Sequence, residues 1–309
     1  MTQVIDLLYL APMAGAAFGV SGLVWAALRL GQRWMDRLAP AAQARVVLAS
    51  ILAPAFLSTV FLLGVLGDWL VAGPAAFCVD LHGAQRPSVL LGLAGILLGS
   101  RLVVCGVQSA VTLWHTRCLR HTVERTAAPQ MHGAAVLPGA APHAFVVGLL
   151  TPRVYLSHGL LATLRPEELA PVLAHEQAHV CRRDPLVRWI AGFGLSWHLP
   201  GIAAALQRQL RRTHELAADA DAAQAVGDRL RVAEALVRYA RLQRAPAGTP
   251  VEFGQSDLAI RVQALLGPVP AHAGPSAAHL FGVSAALVLL GLGAAHSLHH
   301  IAQRLLSLP

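Results

Sequence analysis

Long apolar runs constrain this chain more than any other feature. They are Val4 to Leu28, Val46 to Gly67, Ser88 to about Trp114, and Leu280 to Ala295. About twenty apolar residues cross the hydrocarbon of a bilayer as a helix. The first three runs reach that length, and the fourth reaches it once Ala278 and Leu298 are included. Composition agrees: 55% of residues are hydrophobic and 13% charged, against about 25% charged in a soluble globular protein. The expected fold class is mainly α, a polytopic membrane protein with about four transmembrane helices. No Lys or Arg precedes the first run, and the run is long for a signal peptide, so it is read as a retained span.

The positive charge sets an orientation. There is no Lys, and the net charge of +8 rests on Arg. Arg29, Arg33, Arg37 and Arg45 lie between the first two runs, against Asp36 alone. The connection Asp68 to Pro87 carries Asp68, Asp80 and only Arg86. Arg117, Arg120 and Arg125 follow the third run. Basic loops stay in the cytoplasm, so the N-terminus is expected outside and everything between the third and fourth spans inside. The expected location is a bacterial inner membrane. Arg101, inside the third run, is expected to snorkel to an interface or to mark the end of the span. No base-reading module is evident, and no nucleic-acid partner is expected. Cys78, Cys105, Cys118 and Cys181 form neither a CxxC pair nor a disulfide framework.

The expected organisation is a three-span region over residues 1–115, a cytoplasmic domain over 116–278, and a last span with a short tail over 279–309. In the middle region, Ala134 to Gly139, His143 to Leu150 and Pro152 to Ser157 read as two or three short strands. Leu160 to Leu164 reads as a short helix. A longer helix starts at Arg165-Pro166, with Glu167 and Glu168 in its first turn. Leu186 to Leu206 is apolar again and is expected to form a helical hairpin on or in the inner leaflet.

Within the longer helix lies His175-Glu176-Gln177-Ala178-His179, an H-E-x-x-H pattern. Positions i and i+4 share a helix face, so His175 and His179 can offer both imidazoles to one ion. Glu176 can act as general base on a water there without being a ligand. This is what a zinc hydrolase needs. The following polar helix, Gln207 to Gln224, supplies candidates for a third ligand. Glu215 is preferred, because Asp219 one turn on can hold the other ring nitrogen of a ligating His. His214 is the alternative. Asp184 is expected to orient His179 or to cap the helix. Cys181, two residues past His179, is a weaker metal candidate on another face. His158 and Arg261 are guesses for an oxyanion donor.

The segments HAFVVGLLTPRVYLSHGLL, LRPEELAPVLAHEQAHVCRRDPL and ELAADADAA resemble the zinc-peptidase region of the BlaR/MecR membrane metalloproteases. More distantly, they are similar to the HtpX/Ste24 type. H-E-x-x-H-x-x-R-x-D-P, here His175 to Pro185, is the most specific part, and SDLAIRVQALL resembles the end of such domains. The resemblance implies a gluzincin-like cytoplasmic peptidase domain with a small β-sheet. One Zn2+ per chain would sit on His175, His179 and Glu215, with Glu176 catalytic and Asp219 and Asp184 behind the ligands. It further implies an endopeptidase acting on a cytoplasmic or membrane-associated protein in signalling, such as a transcriptional repressor. The chain ends soon after the fourth run and has no Lys for an S-x-x-K motif, so a β-lactam sensor is not expected. The alternatives are a membrane quality-control protease and, in another class, a catalytically silent sensor or scaffold.

Overall fold

The computed structural model describes residues 21–72, 89–131, 133–243, 252–269 and 274. Most of the first apolar run and all of the fourth lie outside these residues. In chain order the described helices are α1 (Ser21–Leu30), α2 (Gln32–Met35), α3 (Pro40–Ala72) and α4 (Val89–Thr126). Then come β1 (Ala128–Met131), β2 (Ala134–Leu137), β3 (Ala144–Val147) and β4 (Arg153–Ser157). The remainder is helical: α5 (His158–Thr163), α6 (Pro166–Cys181), α7 (Asp184–Leu195), α8 (Pro200–Val226), α9 (Arg229–Leu242) and α10 (Glu252–Leu266). The fold is mainly helical with one small sheet.

Among the described residues one stretch, Pro40–Leu57 in α3, is long and apolar enough to cross a membrane. The expectation of about four spans is therefore met here by one. α4 runs unbroken through Arg101 and on past Arg120. The Arg101 side chain reaches the end of α7. Its Nη1 donates to the Ser196 carbonyl at 2.6 Å. Ser196 is the C-cap of α7, where a helix leaves carbonyls unpaired and the dipole favours a cation.

The sheet has the order β1-β2-β4-β3. β2 and β4 are parallel, and the other pairs are antiparallel. β3 is thereby an edge strand. The last three strands match the sequence reading, whereas β1 is additional. α6 begins as expected. Pro166 sits in its first turn, and Glu168 accepts from the Arg165 amide at 3.0 Å.

The break between α6 and α7 falls at Arg183, which adopts φ 53°. That left-handed residue turns the chain so that Asp184 starts a new helix. The hairpin expected over Leu186 to Leu206 is α7, a short turn and the start of α8. α8 runs on without interruption to Val226, so Gln207 to Gln224 is not a separate helix. Pro200 does not interrupt it, because it occupies the first helical turn, where no amide hydrogen is needed.

Among the described residues four buried clusters hold these elements together. Leu38, Val47 and Ile51 of the α2–α3 region pack on Ala191, Leu206 and Leu210 of the hairpin. Val154, Leu156 and Leu160 pack on Leu169 and Val172 of α6. Ala222 and Ala223 of α8 pack on Val232 and Ala233 of α9 and Leu265 of α10. Val123 of α4 packs against Val147 and Tyr155 of the sheet. α8 takes part in the first and third clusters and so joins the hairpin to the region that holds the site.

Candidate metal centre

α6, α7, α8 and α10 each contribute a polar side chain to one buried cluster. His175 and His179 project from one face of α6, their ring centroids 4.8 Å apart and edge-on. Their Nε2 atoms lie 3.2 Å from each other. From α8, the Glu215 carboxylate reaches both, at 3.4 Å from His175 and 3.6 Å from His179. One ligating atom from each of the three falls within 4.8 Å of the others, which is the spacing needed to hold one metal ion.

The opposite ring nitrogens are fixed. His175 Nδ1 lies 2.9 Å from Asp219, and His179 Nδ1 lies 2.6 Å from Asp184. An ionised carboxylate only accepts hydrogen bonds, so each Nδ1 carries the hydrogen and each Nε2 presents its lone pair inward. Asp184 is 1% exposed and Asp219 2%, so neither has water to fall back on. Asp184 reaches His179 because the turn at Arg183 folds α7 back against α6.

Arg261 of α10 closes the back of the cluster. It forks onto Asp219, Nε and Nη2 each donating at 2.7 Å, while its Nη1 lies 3.1 Å from Glu215. Such bidentate pairs are the strong, directional kind. The sequence named Arg261 only as a guess for an oxyanion donor. In the fold it faces the carboxylates of α8 instead. Its 42-residue separation from Asp219 is why spacing alone could not place it. His158, the other guess, is exposed at the start of α5.

The electrostatics follow from this packing. Burial disfavours the His175 imidazolium, but hydrogen bonds to Asp219 and Glu215 outweigh it and raise its pKa to about 9. Burial pushes Glu215 up, and the His175 hydrogen bond with the Arg261 charge more than reverses this, holding it at about 2. Glu176 is raised, chiefly by burial, and is drawn back by the two histidines. It is 8% exposed and, among the described residues, makes no hydrogen bond or ion pair.

His214 behaves differently. It is 2% exposed and faces Asp184, at 3.7 Å, not the paired Nε2 atoms. Burial lowers its pKa to about 4. Cys181 is exposed and stands outside the cluster.

A residue the sequence did not single out is Tyr239 of α9. Its hydroxyl accepts from the Ala144 amide at 2.9 Å and donates to the Ala144 carbonyl at 3.4 Å. It therefore holds one end of the free edge of β3. Only the strand pairing could have exposed it.

The donor set suits a metal. Two lone pairs and a carboxylate converge with no hydrogen between them, unless His175 carries a proton in the cation's place. Two histidines and a carboxylate are also the ligand types of catalytic zinc. This is the geometry of a metal-dependent hydrolase. Residues 103–265, just over half the chain, match the family described as BlaR1 peptidase M56. The chain belongs to that peptidase family, as the residues around His175 to Pro185 resembled.

Its curated relatives include three named as HtpX protease homologues. That from Desulfatibacillum aliphaticivorans is 29% identical over 187 residues, covering 48% of this chain and 53% of the relative. The protein from Kineococcus radiotolerans is 32% identical over 37% of this chain and 51% of the relative. The one from Methanosarcina acetivorans is 29% identical over 36% and 42%. The chain thus spans about half the length of the curated relatives it matches. No solved structure matches the chain.

Proposed function

We propose that the protein is a membrane-embedded zinc endopeptidase that cleaves a regulatory protein at the cytoplasmic face. The observation that carries this is the convergence of His175, His179 and Glu215 beside an unpartnered Glu176. His175, His179 and Glu215 would hold one Zn2+, with Asp219 and Asp184 fixing the imidazoles from behind. When bound, zinc supplies Lewis acidity, which acidifies water toward a pKa of about 7 and polarises a carbonyl.

The chain's own residues do the rest. Glu176, its carboxyl pushed up by burial, takes the proton from the attacking water and hands it to the leaving amine. Asp219 and Asp184 keep each Nε2 lone pair aimed inward. Arg261 holds the Glu215 and Asp219 face of α8 in place. An extended substrate pairs with the outer edge of β3 beyond Ala144, so main-chain hydrogen bonds supply the binding. No side chain is assigned as a further oxyanion donor.

The membrane part of the reading rests on the candidate span in α3 and on bare apolar faces. α1 exposes Leu23 and Leu30, and α4 exposes Val103, Val107 and Trp114. Such a surface is costly in water and ordinary in lipid. We place a three-span region at 1–115, the peptidase at 116–278 facing the cytoplasm, and a fourth span at 279–309.

Detergent-purified protein should cleave an unfolded substrate such as β-casein. Chelation should stop it and zinc restore it. Glu176→Gln should lower the rate by at least 10²-fold, the usual contribution of general acid–base catalysis. Cleavage that survives both treatments contradicts the proposal. Proteomes of a deletion strain test the substrate class. One or a few stabilised regulators are expected, and broad accumulation of membrane proteins would instead indicate quality control.

A further inference from the structure

A cleft of about 430 Å³ opens between α1 and α8, and no residue of the metal centre lines it. Trp25 and Arg29 of α1 and Ile202, Ala205 and Arg208 of α8 line it, with Leu199 at the hairpin turn. Both helices change character there. α1 is apolar through Ala27 and then meets Arg29, with Arg33 and Arg37 following. α8 is apolar from Ile202 to Leu206 and then meets Arg208, Arg211 and Arg212. The cleft thus straddles an apolar-to-basic boundary on two neighbouring helices.

Four details identify an occupant. No acidic residue lines the cleft, and among the described residues neither Arg29 nor Arg208 makes an ion pair. The Arg29 guanidinium lies 5.1 Å from the centre of the Trp25 ring. That stacking leaves the guanidinium's in-plane N–H groups free to bind a phosphate. Tryptophan with arginine at such a boundary is the residue pair of a membrane–water interface. A volume of about 430 Å³ lies within the roughly 300–1,000 Å³ of small-molecule sites, so the cleft has room for a polyatomic headgroup.

We infer that this cleft binds an anionic phospholipid, its phosphate between Arg29 and Arg208 and its acyl chains over Trp25, Leu199 and Ile202. Basic pockets between membrane helices recognise headgroups in this way. The site requires the bilayer but not peptidase activity, so it stands or falls separately from the metal centre. A lipid seated there bridges α1 to α8, the helix that carries Glu215 about two turns beyond Arg208.

Native mass spectrometry of the detergent-purified full chain tests this, with added phosphatidylglycerol or phosphatidylcholine. Wild type should retain phosphatidylglycerol in preference. A charge-assisted hydrogen bond to the phosphate is worth about tenfold in affinity or more. R29Q/R208Q should therefore lose about a hundredfold, and R29K/R208K, which keeps the charge, should lose much less. R33Q/R37Q serves as the control for diffuse charge and should bind normally. Equal binding by R29Q/R208Q, or equal loss in R33Q/R37Q, overturns the assignment. So does displacement by millimolar inorganic phosphate, which would mark a free-anion site.

Discussion

At His175 a proton and a cation compete for one nitrogen. In the metal-free protein its pKa is raised from 6.5 to about 9. The stabilisation this carries is complete below about 6.5 and lost as pH rises through 9. Glu215 is lowered from 4.5 to about 2, so its share is complete above about 4.5 and lost as pH falls through 2. The metal-free cluster is therefore best held between about pH 4.5 and 6.5. Zinc must displace the His175 proton, so its affinity should rise about tenfold per pH unit below 9. Thermal melts of zinc-loaded and chelated protein at pH 6, 7 and 8 and fixed free zinc should diverge progressively. A gap independent of pH contradicts this account. Asp219→Ala and Asp184→Ala should each weaken zinc binding about 10–100-fold, measured by competition with a chromophoric chelator. His175 with His179, and Glu215 with Asp219, could be picked out in the sequence because helical spacing puts each pair on a shared face, whereas Asp184 was named from its place just past His179 and reaches it only through the turn at Arg183. The Arg261 fork could not, because it depends on how α10 docks.

The same limit applies to whole elements. α6 could be placed from its proline, its acidic first turn and its apolar stripe. β1 was missed because Ala128-Pro129-Gln130-Met131 has no alternation and carries a proline, which suits only an edge position. The continuity of α8 was missed because Pro200 reads equally well as a break or as a first-turn residue. Packing on α3 decided between them. That packing is close: a Cβ on Gly194 would lie 2.6 Å from the Ile51 carbonyl oxygen. Gly194→Ala should therefore separate α7 from α3 and lower stability by about 1–3 kcal/mol. The melting temperature in detergent is the check, with Gly192→Ala, which would meet nothing within 4 Å, as the comparison. Equal melting temperatures would contradict the close approach.

Across the whole molecule, the metal centre and the apolar surfaces are joined by α8, which starts in the hairpin and ends beyond Asp219. The orientation proposed from the arginines has a direct consequence. Cys78 belongs to the outer connection, whereas Cys118 and Cys181, both exposed, belong to the cytoplasmic side. A membrane-impermeant maleimide should label Cys78 in intact spheroplasts, and Cys118 and Cys181 only in inverted vesicles. The reverse pattern contradicts the orientation.

The central claim is that His175, His179 and Glu215 hold one catalytic metal ion. Metal analysis of detergent-purified wild type, Glu176→Ala and Glu215→Ala, prepared without chelator, tests it most directly. One zinc per chain in wild type and Glu176→Ala, with loss in Glu215→Ala, is the predicted result. Wild type without zinc after metal-replete preparation, or Glu215→Ala that keeps it fully, would contradict the account.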